Sequence, residues 1–214
     1  YTVEGRKATS LLADAYGIAL QRISGNGVRV SSAEPPEVVI RCEDVEEVAR
    51  VSRLVPYAPV RASDRAVIGR ILGLAVSGYL GSVLEVEAVA FPAAQKGKGV
   101  LRFNQTAGSM AQDSVFNATA VVRLLTGENL ANWDVHVNVV GGGRIDGPSA
   151  GVAVVMAVTS AILGWPIRQD VAVTGEVSIQ GYVKPVGGIY EKLFGAKRAG
   201  VVRAVIPRDN LAEI

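Results

Sequence analysis

A chain of 214 residues with 49% hydrophobic and 20% charged residues is long and apolar enough to bury a substantial core, as one large domain or one domain plus an appendage. A net charge of +2 gives no strong footprint for nucleic acid. One cysteine, Cys42, and one histidine, His136, exclude an internal disulfide framework, a multi-cysteine metal site and a His-rich zinc site, and the lack of disulfides fits a reducing compartment.

The chain opens on Tyr1 with no signal-peptide pattern, and it is expected to be a piece of a longer protein. The longest apolar run, Ala150 to Trp165, is short for a membrane span and contains Thr159 and Ser160, so a buried helix is expected there.

In chain order, Lys7 to Ile23 reads as a helix, with Leu11, Leu12, Ala15, Ile18 and Ala19 at helical spacing. Ser24-Gly25-Asn26-Gly27 stops it. Val28–Val30 and Glu37–Ile40 read as short strands, separated by Pro35-Pro36. Glu43 to Leu54 reads as a second helix. Pro56-Tyr57-Ala58-Pro59 cannot continue a helix and stiffens the connection, which places a domain boundary near Pro56: a first segment of residues 1–56, and a main domain of 57–214.

Beyond the linker the pattern is α/β. Val67–Val76 and Gly81–Phe91 are strands joined by a turn at Ser77-Gly78-Tyr79. Gln95-Lys96-Gly97-Lys98-Gly99 is a basic loop, read as a solvated hairpin tip, before a strand at Val100–Phe103. Ser109–Thr126 is a helix. Asp134–Val140 alternates Val135, Val137 and Val139 with Asp134, His136 and Asn138, which predicts a strand with one polar face. The glycines Gly141-Gly142-Gly143 and the hexapeptide Asp146-Gly147-Pro148-Ser149-Ala150-Gly151 lead into the apolar helix to Leu163. Strands at Val171–Thr174 and Glu176–Val183, a helix at Ile189–Ala199 behind Gly187-Gly188, and a strand at Val201–Ile206 complete the pattern.

Two residues suggest chemistry. Pro148 suits a first helical turn, so Ser149 stands where free backbone N–H groups of Ser149 and Ala150 can stabilise an oxyanion, with small neighbours leaving room for a substrate. A serine that merely caps a helix fits the local pattern equally well. Lys192 shares a helical stripe with Ile189, Leu193 and Ala196, which are all apolar. Such a lysine either snorkels outward or is desolvated, and a desolvated amine is neutral and can take a proton from a serine hydroxyl. Thr174 ends a strand lying between the two in sequence and is placed to orient the amine. Two other classes compete. A dinucleotide-binding module would need a small residue where Asp146 stands, because an acid repels the pyrophosphate. A non-catalytic assembly domain would not need both Ser149 and Lys192.

The hexapeptide at 146–151, then Thr174-Gly175-Glu176, then Gly187-Gly188-Ile189-Tyr190-Glu191-Lys192-Leu193 resembles the proteolytic domain of Lon proteases, from about Gly69 to the end. The resemblance implies an α/β (α+β) domain of the ribosomal-protein-S5-domain-2-like class. It implies a Ser–Lys dyad with Ser149 as nucleophile and Lys192 as general base, Thr174 as the lysine-orienting hydroxyl, and Asp146 as the acid beside the serine. No metal or organic cofactor is implied. Unfolded protein or peptide substrates, a hexameric ring, a cytoplasmic setting, and no membrane or specific nucleic-acid partner are. Where common bacterial Lon proteases carry two histidines, this chain has His136 and Asn138, which brings it nearer the LonB-like or LonC-like branches. His136 is therefore read as a structural hydrogen-bonding group. The amino-terminal segment resembles the end of an AAA+ small helical domain, with no Walker motif in view. The stretch from Leu72 to Phe91 is expected in the wall of a substrate chamber.

Overall fold

The computed structural model describes residues 12–19, 38–51, 60–77, 80–104, 108–140 and 147–214. The predicted strand at Val28–Val30, the Pro56–Pro59 linker, the turn residues Gly78 and Tyr79, the glycines at 141–143 and Asp146 lie outside them. The chain divides into two units, Tyr1–Ala58 and Pro59–Ile214.

In the first unit residues 12–19 lie in a helix, α1, and Cys42–Val51 form α2. Ala15 and Val48 are buried together, with Ile18 and Val45 packed against them. The start of α2 is fixed by a reciprocal cap. The Asp44 carboxylate accepts from the backbone N–H of Arg41 at 2.7 Å, and the N–H groups of Asp44 and Val45 return to the Arg41 carbonyl. This cap corrects the predicted strand at Glu37–Ile40. Residues 38–40 form no strand, and Val39 and Ile40 are exposed, so they have no buried face to reward pairing.

The second unit is a mixed α/β layer structure. Its strands are β1 (Ala66–Val67), β2 (Arg70–Ser77), β3 (Leu80–Pro92), β4 (Leu101–Arg102), β5 (Trp133–Val140), β6 (Ile167–Arg168), β7 (Val171–Val173), β8 (Glu176–Val177), β9 (Val183–Lys184) and β10 (Arg203–Val205). The helices are α3 (Ser109–Thr126), α4 (Gly151–Leu163) and α5 (Ile189–Arg198). Six strands form one sheet in the order β10-β7-β2-β3-β5-β4. β2, β3 and β5 run antiparallel in turn, while β7 runs parallel to both β2 and β10.

Alternation along the strands sends successive side chains to opposite faces. Ile71 of β2, Val86 of β3 and Val173 of β7 join one core under α3 and α4, whereas Leu72, Leu74, Val83 and Ala172 join a second core under α5. The sheet is thus a middle layer. α4 is buried along most of its surface, as its apolar sequence dictates, and its Ser160 stays satisfied by accepting from the Gly69 N–H at 2.8 Å and donating to the Trp165 carbonyl. Among the described residues, no helix is long and apolar enough to cross a membrane.

Three expectations are corrected in this unit. The strand predicted from Val67 is broken at Ile68-Gly69, and Ala66–Val67 pairs instead with β6. The basic loop at 95–99 is solvent-exposed at both lysines but is not a hairpin tip: β4 pairs parallel with β5, which lies between β4 and β3. The strand predicted over Glu176–Val183 is a tight hairpin of β8 and β9, because Gly181 turns at φ 87° and donates to the Ser178 carbonyl at 2.8 Å.

Candidate active site

The hexapeptide folds as expected up to a point. Pro148–Ala150 form a 3-10 turn, and the α-helix proper starts at Gly151. Ser149 therefore stands half-exposed in the turn ahead of α4, at a helix start where amide N–H groups have no intrahelical partner. The N–H groups of Ser149 and Ala150 belong to that set.

The turn is held from both sides. The Ser149 carbonyl accepts from the Gly175 N–H at 3.0 Å and from the Thr174 hydroxyl at 3.3 Å, and the Val152 N–H donates to the Gly175 carbonyl at 3.1 Å. These bonds tie the serine turn to the carboxyl end of β7. On the other side the hydroxyl of Ser114, buried in α3, donates to the Pro148 carbonyl at 3.2 Å. A Cβ on Gly151 would stand 2.9 Å from Ser114 Oγ and 3.0 Å from the Val177 nitrogen, so the glycine lets α3 and β8 close on the turn.

Lys192 reaches the same end of the sheet from the opposite face. β2 and β7 are parallel, with Gly73 beside Val173, so Val76 lies beyond the carboxyl end of β7. Gly188, in the left-handed region at φ 69°, opens α5 against the Val76 side chain. One turn later α5 crosses the start of β3 with almost no clearance. A Cβ on Gly81 would fall 1.7 Å from the Glu191 carbonyl oxygen, and one on Gly195 would fall 2.4 Å from the Gly81 carbonyl carbon. Two facing glycines permit this approach.

Lys192 is on the buried stripe of α5 with Ile189, Gly195 and Ala196, as the spacing predicts, and is only 4% exposed. It does not snorkel. Burial pushes its pKa below the ordinary 10.5, and desolvation is the sole cause of the shift. Thr174 is 1% exposed and follows β7 directly.

The structure thus brings Ser149, Ala150, Thr174 and Lys192 to one end of the sheet. Asp146 lies outside the described residues. His136 is exposed on β5. On the same strand face Asn138 accepts from Asn104 Nδ2 at 2.7 Å. Ser114 was not singled out by sequence reasoning, although it had the signal that marked Lys192: with Ala111, Val115 and Ala118 it occupies the apolar stripe of α3.

The family model of the Lon protease (S16) C-terminal proteolytic domain matches residues 40–214, a span that begins just ahead of α2. Lon protease 2 of Bacillus subtilis (strain 168) is 34% identical over 223 residues, covering 98% of this chain and 38% of that protein. Lon protease 1 of Thermus thermophilus is 35% identical over 188 residues, 85% of this chain and 23% of that protein. Archaeal Lon protease of Thermococcus kodakarensis is 40% identical over 149 residues, 69% of this chain and 24% of that protein. This chain belongs to the Lon protease family. It spans 23% to 38% of the length of these curated relatives.

Proposed function

We propose that this chain is the peptide-hydrolysing part of a serine endopeptidase, with Ser149 as nucleophile and Lys192 as general base. The observation that carries the reading is Lys192 itself. It is buried on α5 beside Gly81 at the start of β3, in a setting that favours the neutral amine.

In this mechanism Ser149 Oγ attacks the scissile carbonyl as its proton passes to Lys192 Nζ. The carbonyl oxygen becomes an oxyanion held by the backbone N–H groups of Ser149 and Ala150. Lys192 then gives the proton to the leaving amine as the C–N bond breaks, leaving an acyl-serine. Water, deprotonated by Lys192, attacks the ester. Collapse of the second tetrahedral intermediate frees the carboxylic acid and returns the proton to Ser149. Thr174 holds the Ser149 turn through that residue's carbonyl, and by resemblance its hydroxyl also orients the Lys192 amine and Asp146 is assigned beside the serine. The chemistry calls for no metal or organic cofactor in this chain.

The substrates proposed are unfolded proteins and peptides, the assembly a homohexamer, and the setting the cytoplasm. The segment before the boundary near Pro56 is proposed to close an AAA+ helical domain. Capture by a peptide boronate tests the dyad: a stoichiometric adduct on Ser149, weakened in Lys192→Ala and absent in Ser149→Ala, supports it, and a boronate bound equally by all three overturns it.

A further inference from the structure

The carboxyl-terminal turn holds a buried amide that the proposed mechanism does not use. Residues 208–213 form a 3-10 turn whose side chains are exposed at Arg208, Asp209, Leu211, Ala212 and Glu213. Asn210 is the exception, at 1% exposure. Its Oδ1 accepts from the Val186 N–H at 3.0 Å, and its Nδ2 donates to the Val186 carbonyl at 3.0 Å. A second Nδ2 bond goes to Glu213 Oε1 at 2.5 Å. An amide that exchanges both bonds with a single residue copies the pairing of two facing strand residues, and only an amide offers an acceptor and a donor side by side at this length.

Val186 lies in the connection between β9 and α5, where neither sheet nor helix fixes the backbone. Two residues on, Gly188 caps α5, and its carbonyl accepts from the N–H of Lys192 at 3.0 Å. The path from Asn210 to Lys192 therefore runs through four consecutive backbone features: the paired Val186, Gly187, the left-handed Gly188, and the first helical turn. The Val186 pair is thus one anchor of the amino end of α5, beside the packing of Gly188 on Val76 and of Glu191 on Gly81.

We infer that Asn210 is a positioning residue for Lys192, fixing the first turn of α5 by clamping Val186. The inference rests on Lys192 being the base. Asn210 touches no substrate in this scheme, so its loss misplaces the amine and lowers turnover without weakening substrate binding.

The test is steady-state hydrolysis of a fluorogenic peptide by the full chain, with Asn210→Ala, Asn210→Ser, Glu213→Ala and Lys192→Ala compared with wild type, each normalised to the boronate-titrated site concentration. Asn210→Ala is expected to lower kcat about 10-fold, the size of roughly one net hydrogen bond, with KM within about twofold of wild type. Asn210→Ser, which keeps a polar group in place, is expected to show the same split at smaller amplitude. Glu213→Ala leaves the Val186 pair intact and is expected to stay within about twofold of wild type. A kcat unchanged in folded Asn210 variants while Lys192→Ala is dead overturns this inference alone. Turnover retained in Lys192→Ala overturns the proposed mechanism and this inference with it. Failure of both Asn210 variants to fold makes Asn210 a folding determinant and also overturns it.

Discussion

Thr174 donates its buried hydroxyl to the carbonyl of Ser149 at 3.3 Å, and the neighbouring Gly175 N–H reaches that same carbonyl at 3.0 Å. The Ser149 turn is therefore fastened to a strand end and not left to its own helix. Thr174→Val removes the hydroxyl and keeps the shape. We expect kcat to fall by about 3- to 10-fold with KM nearly unchanged, and Thr174→Ser to retain most of the rate. A valine variant as active as wild type, with the loss confined to the serine variant, would show that the methyl group matters and the hydroxyl does not.

Ser114 holds the other side of the turn through the Pro148 carbonyl. Ser114→Ala is expected to cost roughly 1 kcal/mol of stability, since the carbonyl also accepts from the Gly151 N–H and is not left orphaned. Ser114→Val adds bulk beside Gly151, where clearance is already small, and is expected to cost more than the alanine variant. Chemical denaturation of both variants checks the order, and a valine variant as stable as the alanine would remove the packing argument.

The crossing of α5 over Gly81 gives a sharper case. A methyl group at Gly81 would meet the Glu191 carbonyl oxygen at 1.7 Å, and that oxygen is backbone. The helix must move, and Lys192 moves with it. Gly81→Ala is expected to lose about 2–3 kcal/mol, a Tm drop of roughly 4–12 °C, together with most of the activity. Gly97→Ala, at an exposed turn with φ 85° and open space around it, suffers only backbone strain and is expected to keep full turnover. Calorimetry and peptide hydrolysis on the two variants separate strain from displacement.

The pH dependence follows from the burial of Lys192. Its folded pKa lies below 10.5, and the proposed mechanism uses the neutral amine, so kcat/KM is expected to rise toward mildly alkaline pH and level off before 10.5. Stability has the matching sign. Between the lowered folded pKa and 10.5 the unfolded chain holds a proton that the folded chain lacks, so this group makes stability rise with pH across that window. Below the folded pKa both states are protonated and the folded protein carries the full cost of a desolvated ammonium. Lys192→Met is therefore expected to be more stable than wild type at neutral pH, with the advantage shrinking toward alkaline pH. An advantage independent of pH, measured by thermal unfolding, would contradict the assignment.

Much of this site was legible in local pattern. The stripe Ile189, Lys192, Leu193, Ala196 placed a lysine on a buried face, and 4% exposure is where it sits. Pro148 marked the helix start and the valines of β5 marked the inward face. What escaped depends on contacts distant in sequence. Ser114 reaches Pro148 across 34 positions and Asn210 reaches Val186 across 24, and nothing in the neighbourhood of either residue signals the partner. Gly81 and Gly195 look like ordinary breakers until helix and strand are seen to cross at them. The β8–β9 hairpin was read as one strand because its apolar ends, Val177 and Val183, are continuous in pattern while the turn rests on a single glycine at position 181.

The most direct measurement is degradation of a permanently unfolded protein, comparing wild type with Ser149→Ala and Lys192→Ala, each shown to be folded and equally assembled. The account predicts cleavage by the wild type and none by either variant. Cleavage that survives in Lys192→Ala would contradict a lysine base, and cleavage that survives in Ser149→Ala would place the nucleophile elsewhere.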